Sequence, residues 1–343
     1  MQVVSTADRA EKARRSPLTA ELIRNSASWI ALVIIIVLFS ILSNAFFSGR
    51  NFMSILEGAS VMGVVAIGEA LVMIAGGFDL SVAAIMMVGG MVFGVMFMNL
   101  HLPVGVAMIA ALATTVGLGL VNGLLVTKVK LPAFIATFAT MSVFTGFSLG
   151  LGKGMSIYNI KGPIFSFLGQ GKLGPVPMPA IIFIVVAIIA YLLLGTSRFG
   201  RTVYAVGGNE KAAHMSGMNV DRTRLITYMI SGFLSGLASL IVISRLEAAQ
   251  VVATTVSGYS VTLLDAITAV MIGGISIFGG KGRMYGLIGG ILLIQVLSNG
   301  IATLGADSNF HLLAKGLLMA LAVGIDIYFG SRVKLRGRLK LRS

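Results

Sequence analysis

The chain contains no cysteine, a single tryptophan and few charged residues, which make up 11% of its 343 positions. Without cysteine there is neither a disulfide framework nor thiol chemistry. About a quarter of the residues in a soluble domain are charged, so this composition excludes that class. The three histidines (His101, His214 and His311) lie far apart, without acidic or sulfur partners at ligand spacing, and no metal site is predicted.

Catalytic groupings are also missing from the sequence. It has no HExxH motif and no nucleophile next to a base in a recognisable context. Glycine-lysine pairs at 152–153, 171–172 and 280–281 lack the Ser or Thr that completes a phosphate-binding P-loop. The sequence therefore predicts that this chain is not an enzyme, binds no cofactor and does not itself hydrolyse nucleotide by that route.

Apolar sequence is abundant: 57% of the residues are hydrophobic and the mean hydropathy is +0.97. Runs of about 20 apolar residues, long enough to cross a bilayer, recur along the chain. Ten spans are predicted, at 29–46, 53–76, 82–99, 104–127, 132–152, 179–196, 225–244, 261–278, 284–304 and 311–329. They predict an all-α, polytopic transmembrane helical bundle. The first span follows a polar tail and has no small-x-small cleavage site after it, which indicates a retained signal-anchor.

Basic residues are distributed unevenly between the two sides of this bundle. The net charge is +14, and 20 of the 26 Lys and Arg residues fall in the two tails and in alternate loops, including 197–224. The opposite side receives only Arg50, Lys153, Lys161, Lys172, Arg245 and Lys315. By the positive-inside rule both termini are predicted to be cytoplasmic, which requires an even number of spans. The charge therefore indicates topology and not a nucleic-acid partner.

The predicted domain organisation follows from the same pattern. A cytoplasmic N-terminal tail covers 1–28, a transmembrane domain covers 29–329, and a basic cytoplasmic C-terminal tail covers 330–343. The longest polar interruptions within the transmembrane domain are 153–178, predicted to be an irregular outer cap, and the cytoplasmic loop 197–224. No separate soluble domain is predicted.

Glycine is frequent, with 43 residues, and much of it lies inside the predicted spans. Small-xxx-small spacing, which allows close helix packing in lipid, occurs at Gly90–Gly94, Gly146–Gly150, Gly232–Gly236 and Gly286–Gly290. Two segments, 67–90 and 263–290, each run from an apolar helix through Gly-Gly and a polar interruption into a second glycine-rich helix. They suggest an internal duplication of the kind found in transporters.

Four polar residues in or beside the spans are candidates for lining a substrate pathway: Glu69, Asp79, Asn122 and Asn299. Glu69 is the deepest ionisable residue, and a charge at membrane depth indicates a functional site by default. Asp79 lies in GGFDLSV, where a helix-cap role is favoured over a substrate role. The two amides offer donors and acceptors suited to a polyhydroxylated substrate, although bonds between helices are their commoner use. The absence of alternating acids and bases argues against a proton relay.

The loop containing YAVGGNEKAAHMSGMNVDRTR, residues 204–224, interrupts the apolar sequence with a short polar helix. The pattern predicts an extended approach ending at 207–208 and a helix over 210–216, with Asn209 as N-cap and Gly217 at C′. One face of this helix carries only small side chains: Asn209, Ala212, Ala213 and Ser216. We interpret it as a helix that docks into a groove on a partner protein, in preference to a helix lying on the membrane.

Four stretches of the sequence closely resemble a known family: GGFDLSV, GRTVYAVGGNEKAAHMSGMNVDRTR, LLDAITAVMIGGISIFGGKGR and SNGIATLG. They resemble the permease subunits of bacterial monosaccharide ABC importers, nearest to the ribose permeases, with xylose, allose, galactose and arabinose permeases similar. The resemblance runs from about residue 28 to residue 330, and the cytoplasmic loop is its most specific part.

This resemblance implies a multi-pass protein of the bacterial cytoplasmic (inner) membrane that assembles with several partners. They are a second permease subunit in a homodimer, an ABC ATPase that uses ATP and Mg, and a periplasmic or extracellular sugar-binding protein. By resemblance, the residues of the ATPase-docking loop are Gly208, Asn209, Glu210, Ala212, Ala213, Ser216 and Gly217. Two alternatives stay open: an importer of the same class for nucleosides or another small polar solute, and an ion-coupled secondary transporter.

Overall fold

A computed structural model describes residues 28–250 and 263–305, with isolated positions between 313 and 324. Its helices are α1 Ser28–Leu42, α2 Gly49–Ile74, α3 Val82–Gly94 with a π-helical extension Val95–Asn99, α4 Val104–Thr127, α5 Ala133–Leu151, α6 Pro163–Gln170, α7 Met178–Thr196, α8 Arg198–Gly208, α9 Glu210–Met215, α10 Val220–Leu246, α11 Leu263–Ile272 and α12 Met284–Thr303. The strands are β1 Ile157–Tyr158, β2 Lys172–Leu173, β3 Val176–Pro177 and β4 Ala248–Ala249.

Seven helices in the described part of the chain are long and apolar enough to cross a membrane: α2, α3 with its extension, α4, α5, α7, α10 and α12. The shorter apolar helices α1 and α11 occupy the first and eighth predicted spans. The tenth predicted span, 311–329, lies outside the continuously described residues. The all-α, polytopic class is confirmed, while the count of ten spans and the cytoplasmic termini stay predictions.

Helix α2 lies at the centre of the bundle. In its most apolar stretch of 18 residues 89% of the residues are buried, and the helix packs against α7, α10, α11 and α12. The outer helices α4, α5 and α7 instead expose large apolar side chains such as Ile109, Phe138 and Ile188. Apolar side chains on both the inside and the outside of a bundle are expected where lipid replaces water around it.

Three of the four predicted small-xxx-small pairs lie at helix contacts. Gly232 and Gly236 of α10 pack against α4, where an added Cβ on Gly232 would meet Gly119 Cα at 3.2 Å. Gly286 and Gly290 of α12 face the end of α11, and Gly90 and Gly94 face α10 and the β1–β4 pair. Gly146 and Gly150 make no such contact with the described residues, where nothing lies within 4 Å of an added Cβ on either, so the prediction for this pair stays a prediction.

The turns that end α2 and α11 are built alike, which supports the predicted duplication. Each follows the tripeptide Val-Met-Ile, at 72–74 and at 270–272. After each helix, the second amide donates to the carbonyl three residues back and the third to the carbonyl five residues back, which is a Schellman motif. The residue in the left-handed region is Gly76 (φ +77°) in one turn and Gly274 (φ +80°) in the other. This turn ends α11 at Ile272, short of the predicted boundary at 278.

The outer segment 153–178 is more regular than the sequence predicts. It holds α6 and a β2–β3 hairpin, and β1 pairs antiparallel with β4. The Gly169 amide of α6 donates to Ser244 Oγ of α10 at 2.8 Å, which fixes the segment on the bundle. Hydrogen bonds from Gln170 and from Lys161 lower the pKa of the Glu247 carboxyl at the end of α10.

A partly buried ion pair joins α2 to α10 near this segment. Arg245 Nη2 lies 2.8 Å from Glu57 Oε2, and the two side chains are 15% and 22% exposed. Removing one partner of a buried pair leaves an uncompensated charge, which costs about 3–5 kcal/mol in a fully buried site.

Because this pair is not fully buried, we expect Glu57→Gln and Arg245→Gln each to lower the free energy of unfolding by about 2 kcal/mol. The double variant should lose less than the sum of the two single variants, since both substitutions remove the same ion pair. Thermal unfolding of the detergent-solubilised variants measures these losses. Losses that add up in the double variant would contradict the pairing.

Candidate functional site

The loop between α7 and α10 forms two helices where the sequence predicts one. Ser197 is the N-cap of α8, and its Oγ accepts a hydrogen bond from the Gly200 amide at 2.9 Å. Helix α8 continues to Gly208 because Val203 and Val206 are buried against the bundle and stabilise a helical approach. The predicted extended approach to 207–208 is therefore wrong: tertiary packing outweighs the low helix propensity of two glycines.

Helix α9 is framed by the caps that the sequence predicts. Asn209 Oδ1 accepts from the Ala212 amide at 3.0 Å, and Glu210 lies in the first turn. Gly217 has φ +79°, and the amides of Gly217 and Met218 close a Schellman motif on the carbonyls of His214 and Ala213. The helix ends at Met215, with Ser216 as its C-cap, one residue before the predicted end.

The face of α9 that is free to meet a partner differs from the predicted one. Ala213 is 3% exposed and packs with Val206 and Val220 of its own chain, whereas Asn209, Ala212 and Ser216 are exposed. Met215 is the most exposed large apolar residue of this loop, with 88% of its surface accessible. Ala213 therefore anchors α9 to the bundle, and the exposed face of α9 presents a methionine among small and polar residues.

A groove of about 540 Å³ runs beside this exposed face. Its lining includes Lys130, Lys211 and His214, together with Asp221 at the start of α10. Lys130 Nζ lies 2.9 Å from Asp221 Oδ1, so one cation of the groove is already paired within the chain. Glu210 also lines the groove, so its two lysines are matched by two acidic side chains and the lining is polar without an excess of basic charge.

Three glycine pairs that are distant in sequence meet at one point, which we call the glycine junction: Gly76–Gly77, Gly207–Gly208 and Gly279–Gly280. The Gly280 amide donates to the Ile74 carbonyl at 2.8 Å, which ties the turn after α11 to the end of α2. An added Cβ on Gly279 would lie 2.8 Å from Gly76 Cα, and one on Gly207 would lie 2.6 Å from Gly280 N. Backbone thus packs directly on backbone. Three loops that follow the second, sixth and eighth predicted spans, and that the predicted topology places on the cytoplasmic side, lie together.

Arg224, in the first turns of α10, connects α9 to this junction. Its Nη2 lies 2.9 Å from Glu210 Oε2, and its Nε donates to the Ala75 carbonyl at 3.2 Å. The Arg224 side chain is 18% exposed, while the Glu210 side chain is 54% exposed. One side chain therefore bridges the short loop helix and the turn that follows α2.

Three of the four pathway candidates form a single buried network. The Asp79 amide donates to Glu69 Oε1 at 3.2 Å, and Asp79 Oδ1 accepts from the Ser81 amide at 2.9 Å and from Ser81 Oγ at 2.7 Å. Asn122 donates to Ser81 Oγ at 2.7 Å and accepts from Thr140 Oγ1 at 2.7 Å. Glu69, Asp79 and Asn122 are 0% exposed. The network joins the turn before α3 to α4 and α5.

Asp79 holds the conformation of this turn but is not a cap of α3, because Ser81 is the N-cap residue and no side chain accepts a capping hydrogen bond there. A carboxylate that accepts from the amide two residues ahead forms an Asx turn, here immediately before α3. Tyr228 of α10 supports the same turn, since its buried hydroxyl donates to the Phe78 carbonyl at 3.1 Å. Sequence reasoning missed Tyr228 because nothing local distinguishes it from other aromatic residues of a span.

Asn299 lies apart from this network. Its amide and that of Asn51 exchange two hydrogen bonds of 2.9 Å, joining the end of α12 to the beginning of α2. The side-chain amides of Asn122 and Asn299 thus both form hydrogen bonds between helices, which is the commoner of the two predicted uses. The pathway role of all four residues stays a prediction. Among residues 28–250 and 263–305, no three His, Asp and Glu side chains come together as a metal site.

Fold and site together define an integral membrane protein that presents a capped loop helix on the side where its glycine turns converge. The family model described as "Branched-chain amino acid transport system / permease component" matches residues 51–323. The chain therefore belongs to this family of transport-system permease components, as the resemblance predicts.

Individual relatives match along nearly the whole chain. The ribose import permease protein of Bacillus subtilis is 39% identical over 299 residues, which cover 87% of this chain and 91% of the relative. That of Haemophilus influenzae is 37% identical over 308 residues, covering 89% and 94%. The D-allose transport system permease protein of Escherichia coli is 32% identical over 324 residues, covering 94% and 98%.

Proposed function

We propose that this chain is the membrane-spanning permease subunit of an ABC importer that takes up a monosaccharide. The observation that carries the proposal is the identity of 37–39% to ribose import permease proteins over 87–89% of the chain. Relatives named for allose, fructose and xylose match over a similar share. The sugar is therefore a ribose-like pentose or a hexose, and the chain is a transport component and not an enzyme.

The partners follow from this role. A separate ABC ATPase uses ATP and Mg, a soluble binding protein delivers the sugar, and two copies of this chain form the membrane unit. The bacterial inner membrane is its location, with the loop 197–219 on the cytoplasmic side. Support for this orientation comes from two loops that meet at the glycine junction, 197–219 with Arg198, Arg201 and Lys211 and 279–283 with Lys281 and Arg283, since the positive-inside rule assigns basic loops to the cytoplasm.

In the proposed mechanism the sugar crosses between the two copies by alternating access. ATP binding closes the ATPase pair, the docked α9 helices transmit that movement, and the bundle opens outward to receive sugar. Hydrolysis then returns it to the inward-open state. A ligand shifts such an equilibrium only by its differential affinity for the two states, so the ATPase and the binding protein must each prefer one conformation.

Uptake into proteoliposomes that hold the permease, its ATPase and its binding protein tests this proposal. We expect uptake of labelled ribose, allose, xylose or fructose to require ATP and the binding protein. Uptake driven by a proton or sodium gradient without the ATPase would overturn the proposal in favour of an ion-coupled transporter. ATP-dependent uptake of nucleosides or branched-chain amino acids, with none of the sugars, would place the protein elsewhere in the same class.

A further inference from the structure

At the glycine junction no side chain separates the segment that leads into α9 from the turn that follows α2. Helix α8 ends at Gly208 and α9 begins at Glu210, so the two helices are separated by Asn209 alone. Gly207 and Gly208 rest directly on backbone atoms of the turns 74–77 and 279–280. A displacement of α9 can therefore pass to these turns through this contact, in addition to the packing of Ala213 on Val206 and Val220.

The side chain of Arg224 bridges this contact and bonds to both α9 and the turn after α2. The Arg224 guanidinium pairs with Glu210 on α9 and donates to the Ala75 carbonyl at the end of α2. Arginine suits this position because its planar fork offers several donors in fixed directions, which lets one side chain serve two acceptors at once. The Arg224 side chain is 18% exposed and the Glu210 side chain is 54% exposed, so the arginine is held inside the loop while water still reaches the carboxylate of the pair.

The turn that receives Arg224 leads directly to α3. Residues 75–81 connect α2 to α3, and the Asp79 carboxylate ties this turn to Ser81 and, through Ser81, to Asn122. A change in the position of Ala75 therefore reaches α3, α4 and α5 through short hydrogen bonds. Elements that are joined in this way move together because packed interiors rearrange between discrete states and do not deform continuously.

We propose that Arg224 is the positioning residue that transmits movement of α9 to the turn 75–81 and thereby to α3. The inference rests on the proposed function, because it assumes that a partner ATPase displaces α9. The role proposed for Arg224 is mechanical coupling and not the binding of sugar or nucleotide. Loss of the guanidinium should leave the partners assembled while separating ATP hydrolysis from transport.

The test uses the complete complex in proteoliposomes, with sugar uptake and ATP hydrolysis measured in the same vesicles. We expect Arg224→Gln to lower the sugar taken up per ATP hydrolysed about tenfold, within the 5- to 150-fold range of allosteric couplings. The matched control is Arg222→Gln, which removes the same charge from an exposed position of the same helix turn. The control should leave the ratio unchanged.

Glu210→Gln removes the carboxylate that pairs with Arg224 and leaves the hydrogen bond from Arg224 to the Ala75 carbonyl in place. It should also lower the ratio, and the double variant Glu210→Gln/Arg224→Gln should fall no further than Arg224→Gln alone. Additive losses, or an Arg224→Gln variant with the wild-type ratio, would overturn the inference. If Arg224→Gln fails to assemble, Glu210→Gln decides: a lowered ratio supports the inference and an unchanged one overturns it. Wild-type uptake that needs no ATP would instead refute the proposed function.

Discussion

Gly207→Ala is expected to abolish transport and to destabilise the protein by about 3 kcal/mol or more. The added methyl group would overlap the Ile74 carbonyl oxygen and would lie 2.6 Å from Gly280 N. Both neighbours are backbone atoms held by the hydrogen bond between them, so they cannot swing aside as a side chain does. Thermal unfolding and sugar uptake measure the two effects.

The adjacent glycine provides a matched control. The nearest atom to an added Cβ on Gly208 is Gly280 Cα, at 3.9 Å, which is an ordinary van der Waals distance. Because Gly208 is the last residue of α8, alanine there should be neutral or should stabilise the helix by up to about 1 kcal/mol. Equal effects of the two substitutions would show that close packing at the junction is not what Gly207 provides.

Asp79→Leu is expected to lower the free energy of unfolding by about 2–3 kcal/mol, because it leaves the buried Ser81 amide and hydroxyl without their acceptor. The substitution also disturbs Asn122, which donates to Ser81 Oγ. Hydrogen bonds between membrane helices average about 0.6 kcal/mol, so the larger value reflects several bonds lost at one turn. The melting temperature in detergent should fall by roughly 5 °C.

Asp79→Asn distinguishes a turn-forming role from a role in substrate binding. The amide oxygen keeps the acceptor for Ser81, so stability should change by less than about 1 kcal/mol. If Asp79 only supports the turn, the KM for the sugar is also unchanged in this variant. An Asp79→Asn protein that is stable but has a KM raised about tenfold or more would instead support the pathway role predicted from the sequence.

The caps of α9 could be read from the sequence because they are local. Asn209 and Gly217 act on amides and carbonyls within a few residues, and their backbone preferences hold in most surroundings. The orientation of Ala213 could not be read in this way, because it depends on Val206 and Val220 of neighbouring helices. A change such as Ala213→Arg therefore disrupts the packing of the loop itself, and Met215 is the better probe of docking.

Other features depend on which distant segments meet. Each Gly-Gly pair is visible in the sequence, but only the fold brings Gly76, Gly207 and Gly279 into contact. In the same way, Asn122 and Asn299 look alike as Asn-Gly pairs, yet one joins the buried network and the other pairs with Asn51. Arg224 is indistinguishable in sequence from the other basic residues that set the topology.

The most direct test of the docking role of α9 is the labelling of a single cysteine at Met215. The native chain has no cysteine, so Met215→Cys introduces the only thiol. We expect a membrane-impermeant maleimide to label it from the cytoplasmic side and the bound ATPase to protect it. Met155→Cys is the control, since Met155 is 69% exposed in the outer segment and should be labelled from the opposite side regardless of the ATPase. Labelling of Met215→Cys at the same rate with and without the ATPase, or from the outer side, would contradict the account.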